Sequence, residues 1–213
     1  MYKAHRCRFV EFSPKAISCL SFNASGAYLA VARENGDIEI WNVRDGWFLE
    51  KRIPGFGDAT HKALFWVGER LLSAGLNARI VEWDLVKLLP KFAGDSYGGA
   101  VWCGWMVQDW DDRAAVVAVG CEDGSIRLFD VSDPESPPSY IKSLSSHQGR
   151  VLSVHWSRTG LLVSGGADST IRLWKPRSGE NVSRITVEKK GSQPTCVWAV
   201  KILSDGTVVS GDS

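Results

Sequence analysis

Paired cysteines, membrane-length apolar runs and an excess of charge are all missing from this sequence. The five cysteines (Cys7, Cys19, Cys103, Cys121 and Cys196) are odd in number and form no Cys-x-x-Cys pair. They offer no disulfide framework to read and predict reduced thiols in an intracellular protein. The longest uninterrupted apolar run is Ala114–Val119, far short of the ~20 residues that span a bilayer. The opening MYKAHRCRF holds no apolar stretch of secretory-signal length, so the sequons at Asn23-Ala-Ser25 and Asn181-Val-Ser183 are read as chance matches. A net charge of +1 argues against histone-like binding of nucleic acid and leaves only local basic patches. No Gly-x-Ser-x-Gly is present, and no Lys-Ser or Lys-Thr pair follows Gly55-Phe-Gly57 or Gly98-Gly99, so nucleophile-elbow and phosphate-loop signals are both absent. His5, His61 and His155 have no metal-ligand spacing. No cofactor, metal, membrane or small-molecule substrate is expected.

What the sequence has instead is tryptophan, ten of them in 213 residues, against an ordinary 44% hydrophobic and 23% charged background. Four of the large aromatics are evenly placed. Asp168–Lys175 (DSTIRLWK) has three upstream copies: Asn35–Asn42 (NGDIEIWN), Asn77–Asp84 (NARIVEWD) and Asp123–Asp130 (DGSIRLFD). Each begins with Asn or Asp, carries isoleucine three residues on, and an aromatic six residues on. The aromatics Trp41, Trp83, Phe129 and Trp174 lie 42, 46 and 45 residues apart. A period of roughly 40–45 residues ending in a Trp-Asp-like pair is the signature of a WD-repeat β-propeller. The fold class is therefore all-β: an incomplete propeller of four full blades and half of a fifth, from a ring of about seven.

Blade 1 is placed at 16–53, blade 2 at 63–92, blade 3 at 101–144, blade 4 at 147–187 and a partial blade 5 at 196–213. Residues 3–12 are assigned as a strand that closes the ring by pairing into its last blade. Asn35-Gly36 predicts a tight hairpin in which both turn residues accept positive φ. The equivalent turn of blade 2, Leu76-Asn77-Ala78, lacks the glycine, and Glu82 stands where the other copies are apolar, so blade 2 fits the pattern least well. Three prolines between Ser132 and Ser139 predict a surface loop. An arc with two uncovered end faces predicts poor solubility for this segment alone.

His147, Ser164, Asp168 and Trp174 have the spacing of the hydrogen-bonded tetrad of WD repeats. Serine, histidine and aspartate together invite a hydrolase reading, but a nucleophile needs exposure and an oxyanion site. The favoured role is a closed structural network. Blade 2 keeps part of it in Ser73, Asn77 and Trp83. Trp110-Asp-Asp-Arg113 resembles the Trp-Asp-x-Arg box of ubiquitin-ligase substrate receptors, yet falls between first and second strands rather than at the end of a third. The loops beside the tight turns and the loops between blades share one face. Arg33, Glu34, Arg150, Lys189 and Lys190 on that face are the candidate partner-binding residues, and Lys3, His5, Arg6 and Arg8 form a second basic group.

Longer strings carry a more specific resemblance. Lys3–Phe9, Leu72–Asn77, Gly120–Ser125, Val197-Trp198 and Leu203–Thr207 resemble, in order and spacing, the opening part of cirhin-family proteins. The resemblance implies a non-enzymatic nucleolar scaffold of the small-subunit processome, in longer proteins with tandem propellers. It implies as partners other WD-repeat processome subunits and the 5′ leader of pre-ribosomal RNA, with roles in pre-rRNA processing, early 40S assembly and rRNA transcription. The competing readings are a substrate receptor of a cullin-type ubiquitin ligase or a chromatin adaptor, and, third, a propeller enzyme with a channel site.

Overall fold

A computed structural model describes residues 15–55, 60–157, 159–188 and 194–213. The closing strand expected at 3–12 and the pair Lys189-Lys190 lie outside them. Among the described residues every regular element is a strand. Blade 1 is β1 (Ile17–Phe22), β2 (Tyr28–Arg33), β3 (Ile38–Asn42) and β4 (Phe48–Ile53). Blade 2 is β5 (His61–Val67), β6 (Arg70–Gly75), β7 (Arg79–Asp84) and β8 (Leu89–Asp95). Blade 3 is β9 (Val101–Trp110), β10 (Arg113–Cys121), β11 (Ser125–Asp130) and β12 (Ser139–Ser145). Blade 4 is β13 (Val151–Trp156), β14 (Leu162–Gly166), β15 (Thr170–Lys175) and β16 (Glu180–Thr186); β17 (Val197–Ile202) and β18 (Val208–Asp212) open a fifth. Each sheet is an antiparallel meander in sequence order. The structure is that of an incomplete WD-repeat β-propeller.

Side chains alternate across a strand, so each blade offers one face to the blade before and one to the blade after. Four buried clusters fill the four junctions. Ile38 and Ile40 meet Leu64, Trp66 and Leu71 between blades 1 and 2. Phe65 and Leu72 meet Val117, Val119 and Phe129 between blades 2 and 3. Ile126, Leu128 and Leu144 meet Val154, Leu162 and Trp174 between blades 3 and 4. Val163 and Ile171 meet Val197, Val200 and Ile202 at the last junction. At the ends of the arc, Ile17, Leu20 and Phe22 of β1 and Trp198 and Val209 of the fifth sheet are exposed.

Turn chemistry departs from the expectation at Asn35-Gly36. Gly36 N–H closes a turn onto the Arg33 carbonyl at 2.9 Å, and only Gly36 is left-handed, at φ 83°. A type I turn followed by one left-handed residue makes this corner, rather than a pair of positive-φ residues. Ala78 (60°), Gly124 (83°) and Ser169 (62°) repeat it. Left-handed Trp47 and Leu88 likewise end the turns before β4 and β8, so those strands start one residue after the side chains that look like their first members.

A lysine on each of the first three outer strands clamps the next blade. Lys51 Nζ donates to the Leu85 carbonyl at 3.0 Å, Lys91 to Pro134 at 2.6 Å and Lys142 to Arg177 at 2.6 Å. In each case the carbonyl belongs to the loop between the third and fourth strands of the following blade.

Candidate interaction face

The turns between second and third strands and the loops between blades meet on one face of the arc. Gly55 N–H donates to Asp37 Oδ1 at 2.7 Å, Thr60 Oγ1 to the Glu34 carbonyl at 3.4 Å, and Ala167 N–H to the Arg150 carbonyl at 3.0 Å. These bonds tie each entry loop to a turn, so the face is a connected surface rather than a set of free loops.

His147, Ser164, Asp168 and Trp174 come together beneath it in blade 4. Trp174 Nε1–H donates to Ser164 Oγ at 2.9 Å, Ser164 Oγ lies 2.8 Å from His147 Nε2, and His147 Nδ1 lies 3.0 Å from Asp168 Oδ1. A neutral imidazole protonated on Nδ1 satisfies the chain: indole to hydroxyl, hydroxyl to Nε2, Nδ1–H to carboxylate. Thr170 Oγ1 donates to Asp168 Oδ1 at 2.7 Å and Gln148 N–H to Oδ2 at 2.9 Å. Burial opposes ionisation of Asp168, but the hydrogen bonds from His147, Gln148 and Thr170 outweigh it and hold the carboxyl well below its usual range. A Cβ on Gly166 would stand 2.5 Å from His147 Nδ1, which explains glycine there. Ser164 is 0% exposed and its oxygen is already engaged by the Trp174 indole. The arrangement ties the entry loop to the sheet.

Blade 2 keeps the indole–hydroxyl bond, with Trp83 Nε1 donating to Ser73 Oγ at 2.9 Å. Its remaining polar ties point elsewhere. Glu82 is 2% exposed and accepts from Arg70 Nε at 3.1 Å and Nη2 at 2.6 Å. Arg70 Nη1 also donates to the Val131 carbonyl at 2.9 Å, at the start of the proline-rich loop of blade 3. The residue that reads as a defect in the repeat is half of an inter-blade link.

Of the candidate partner-binding residues, Arg33 is turned inward, its guanidinium on Glu39 at 3.1 and 2.9 Å. Glu34 is exposed on the turn. Arg150 lies over the Trp102 ring at 4.7 Å and pairs with Glu122 at 3.1 Å. Glu122 in turn accepts from the Trp102 indole. Sequence reading missed Trp102, which no motif marks; it joins the face only because β9 begins beside the turn before β11. In the Trp110–Arg113 box, Asp111 and Asp112 are the left-handed pair between β9 and β10, and Arg113 is bound to Asp130 at 3.2 Å.

His61 and His155 sit at junctions. His61 Nε2 lies 3.2 Å from the Gly36 carbonyl of blade 1. His155 packs on Trp105 at 4.3 Å between centroids and accepts the Ile202 N–H at 3.3 Å. Burial lowers the pKa of both. Among the described residues no three His, Cys, Asp or Glu side chains gather as a metal site. The described cysteines are free thiols, and burial pushes Cys19 and Cys121 up to about 11. Asn23 is buried and Asn181 Nδ2 is enclosed within the sheet, which leaves neither sequon a presented amide. A groove of 1290 Å³ runs along the inner strands, past Phe22, Trp66, Met106 and Trp156, with Asp109 the only carboxylate on its lining among the described residues.

The WD domain, G-beta repeat model matches residues 4–42 and 138–175. The chain carries WD repeats. It is 35% identical over 217 residues to the human U3 small nucleolar RNA-associated protein 4 homolog, across 100% of this chain and 31% of that protein. It is 34% identical over 229 residues to U3 small nucleolar RNA-associated protein 4 of Saccharomyces cerevisiae, across 98% of this chain and 29% of that one. Similarity to the WD repeat-containing protein srw1 of Schizosaccharomyces pombe is weaker, 28% over 79% of this chain. This WD-repeat chain thus spans about a third of the length of the U3-associated relatives it matches (31% and 29%).

Proposed function

We propose that this chain serves as a cirhin-like, non-enzymatic scaffold of the nucleolar small-subunit processome, acting in pre-rRNA processing and early 40S assembly. The observation that carries the reading is identity of about 35% along the whole chain to relatives named for association with U3 small nucleolar RNA, in human and yeast alike. The architecture supports it. Rigid blades present a loop face whose polar groups are bound to one another, with Trp102, Glu122 and Arg150 grouped on it for contact. The partners are other WD-repeat processome subunits and the pre-rRNA 5′ leader. The tetrad of blade 4 contributes by holding the entry loop of that face in place.

A crosslinked pull-down of the tagged chain from nuclei, followed by sequencing of the bound RNA, tests this. Enrichment of U3 and the pre-rRNA leader over mock is the expected result. Recovery of a cullin-ligase adaptor with neither RNA would overturn it.

A further inference from the structure

One repeat position separates blades 3 and 4. Arg127 and Arg172 are equivalent residues, four after the Asp that opens each motif. In blade 3, Arg127 binds Asp123 through both terminal nitrogens, at 3.0 and 2.7 Å. In blade 4 the equivalent Asp168 is occupied by His147, Thr170 and the Gln148 N–H. Among the described residues no carboxylate bonds Arg172, although it is only 8% exposed. Its Nε is buried with no acceptor among the described residues. Directly across the ladder stands Arg184, where blade 3 has Ser143. Two guanidinium groups facing each other repel, and a buried donor without an acceptor costs free energy.

The surroundings add donors. Asn181 pairs with Trp174 in the ladder, two rows from the arginine pair and on the same face, and its buried Nδ2 also has no acceptor among the described residues. Both rows lie on the face of blade 4 that packs on blade 3, because Trp174 does. From blade 3, Lys142 shares the face of β12 with buried Leu144 and reaches the Arg177 carbonyl of blade 4. Burial draws the Arg172 pKa down; the charge of Asp168 opposes this and that of Arg184 adds to it.

We propose that the outer cleft between blades 3 and 4, built from Arg172, Arg184, Lys142 and Asn181, binds a phosphate group, and that its occupant is a phosphodiester of RNA. Two guanidinium groups on facing strands, with further donors at the same blade junction, suit a tetrahedral oxyanion, whereas a planar carboxylate is matched by one guanidinium fork. The RNA source rests on the function proposed above; the phosphate chemistry does not.

The test uses the full chain and its Arg184→Gln variant, whose exposed side chain can change without disturbing the core. The arginine Nε–H resonances are followed by NMR against inorganic phosphate, with chloride adjusted to constant ionic strength. Binding of single-stranded RNA oligonucleotides is measured in parallel. The expected result is a saturable shift of the Arg172 Nε–H resonance, phosphate affinity about tenfold lower in R184Q, RNA affinity lowered about as much, and a log–log salt slope reduced by about one. A saturable phosphate response with equal RNA binding by the two proteins would overturn the RNA occupant. No saturable phosphate response, or saturation by an oligoglutamate peptide alone, would overturn the site. Either failure, alongside recovery of U3 in the pull-down, would leave the scaffold function standing.

Discussion

In blade 4 the polar residues of the repeat bind one another; in blade 2 they bind the next blade. The strand order is the same, and so is the indole–hydroxyl bond, Trp174 to Ser164 in one and Trp83 to Ser73 in the other. Beyond that bond the two diverge. His147 and Asp168 carry the network of blade 4 up into its entry loop. Glu82 and Arg70 carry that of blade 2 sideways to the loop at Val131. A repeat fixes where a polar group stands, and its surroundings decide what it ties together.

The strongest way to break the comparison is Glu82→Leu, which restores the apolar residue found at Ile40, Leu128 and Leu173. It leaves Arg70 half-buried and unpaired with its carboxylate, and should cost about 3 kcal/mol in denaturant melts. The double change R70M/E82L should recover most of that loss, because a well-packed apolar pair replaces an ion pair at little cost. Failure to recover would show that the bonds from Arg70 to the loop of blade 3 outweigh its pairing with Glu82.

Next in size is the hydroxyl common to both blades. Ser164→Ala removes a bond from both an indole and an imidazole, and should cost about 2 kcal/mol; Ser73→Ala removes one from the indole alone, and should cost about 1 kcal/mol. Equal losses would mean that the His147 and Asp168 arm of the network adds nothing to stability.

Acid sharpens the same contrast. The folded-state pKa of Asp168 is depressed, so its contribution is present above the unfolded carboxylate value of about 3.9 and is lost as pH falls towards the folded value. Melting temperature followed from pH 7 downward should fall more steeply below about pH 4 for the native chain than for Asp168→Asn. The variant should be the less stable of the two at neutral pH.

The smallest effect concerns the left-handed corner. Ala78→Gly relieves a Cβ clash at φ 60° and should raise stability by about 0.5 kcal/mol, once the greater freedom of an unfolded glycine is set against it. Ser169→Gly, at the same corner of blade 4, should lower it by about 1 kcal/mol, because the hydroxyl accepts the Thr195 N–H at 2.8 Å. Thermal melts of the two variants should move in opposite directions.

The propeller was legible because its signals are local and recur. An Asn or Asp, an isoleucine and an aromatic in fixed register mark a third strand each time. The starts of β4 and β8 are hidden in the sequence, because Trp47 and Leu88, large apolar residues suited to a strand, take left-handed turn positions instead. The tetrad was legible from spacing, since its members belong to one repeat. Arg33 was not legible as an internal residue; its engagement with Glu39 depends on which face of the sheet both occupy.

The sequence by itself determined the alternation that makes each strand two-faced, the turns that separate the strands, and the repeat that makes each blade like the last. Those follow from backbone geometry and from side chains a few residues apart. Only the tertiary structure decided that Glu82 is buried on Arg70, that Lys51, Lys91 and Lys142 each grip the following blade, and that among the described residues no carboxylate bonds Arg172 as Asp123 bonds its counterpart Arg127. The physical reason is that a charge is stabilised or left wanting by whatever lies within a few ångströms of it, and at a blade junction those neighbours come from about forty residues away in the chain.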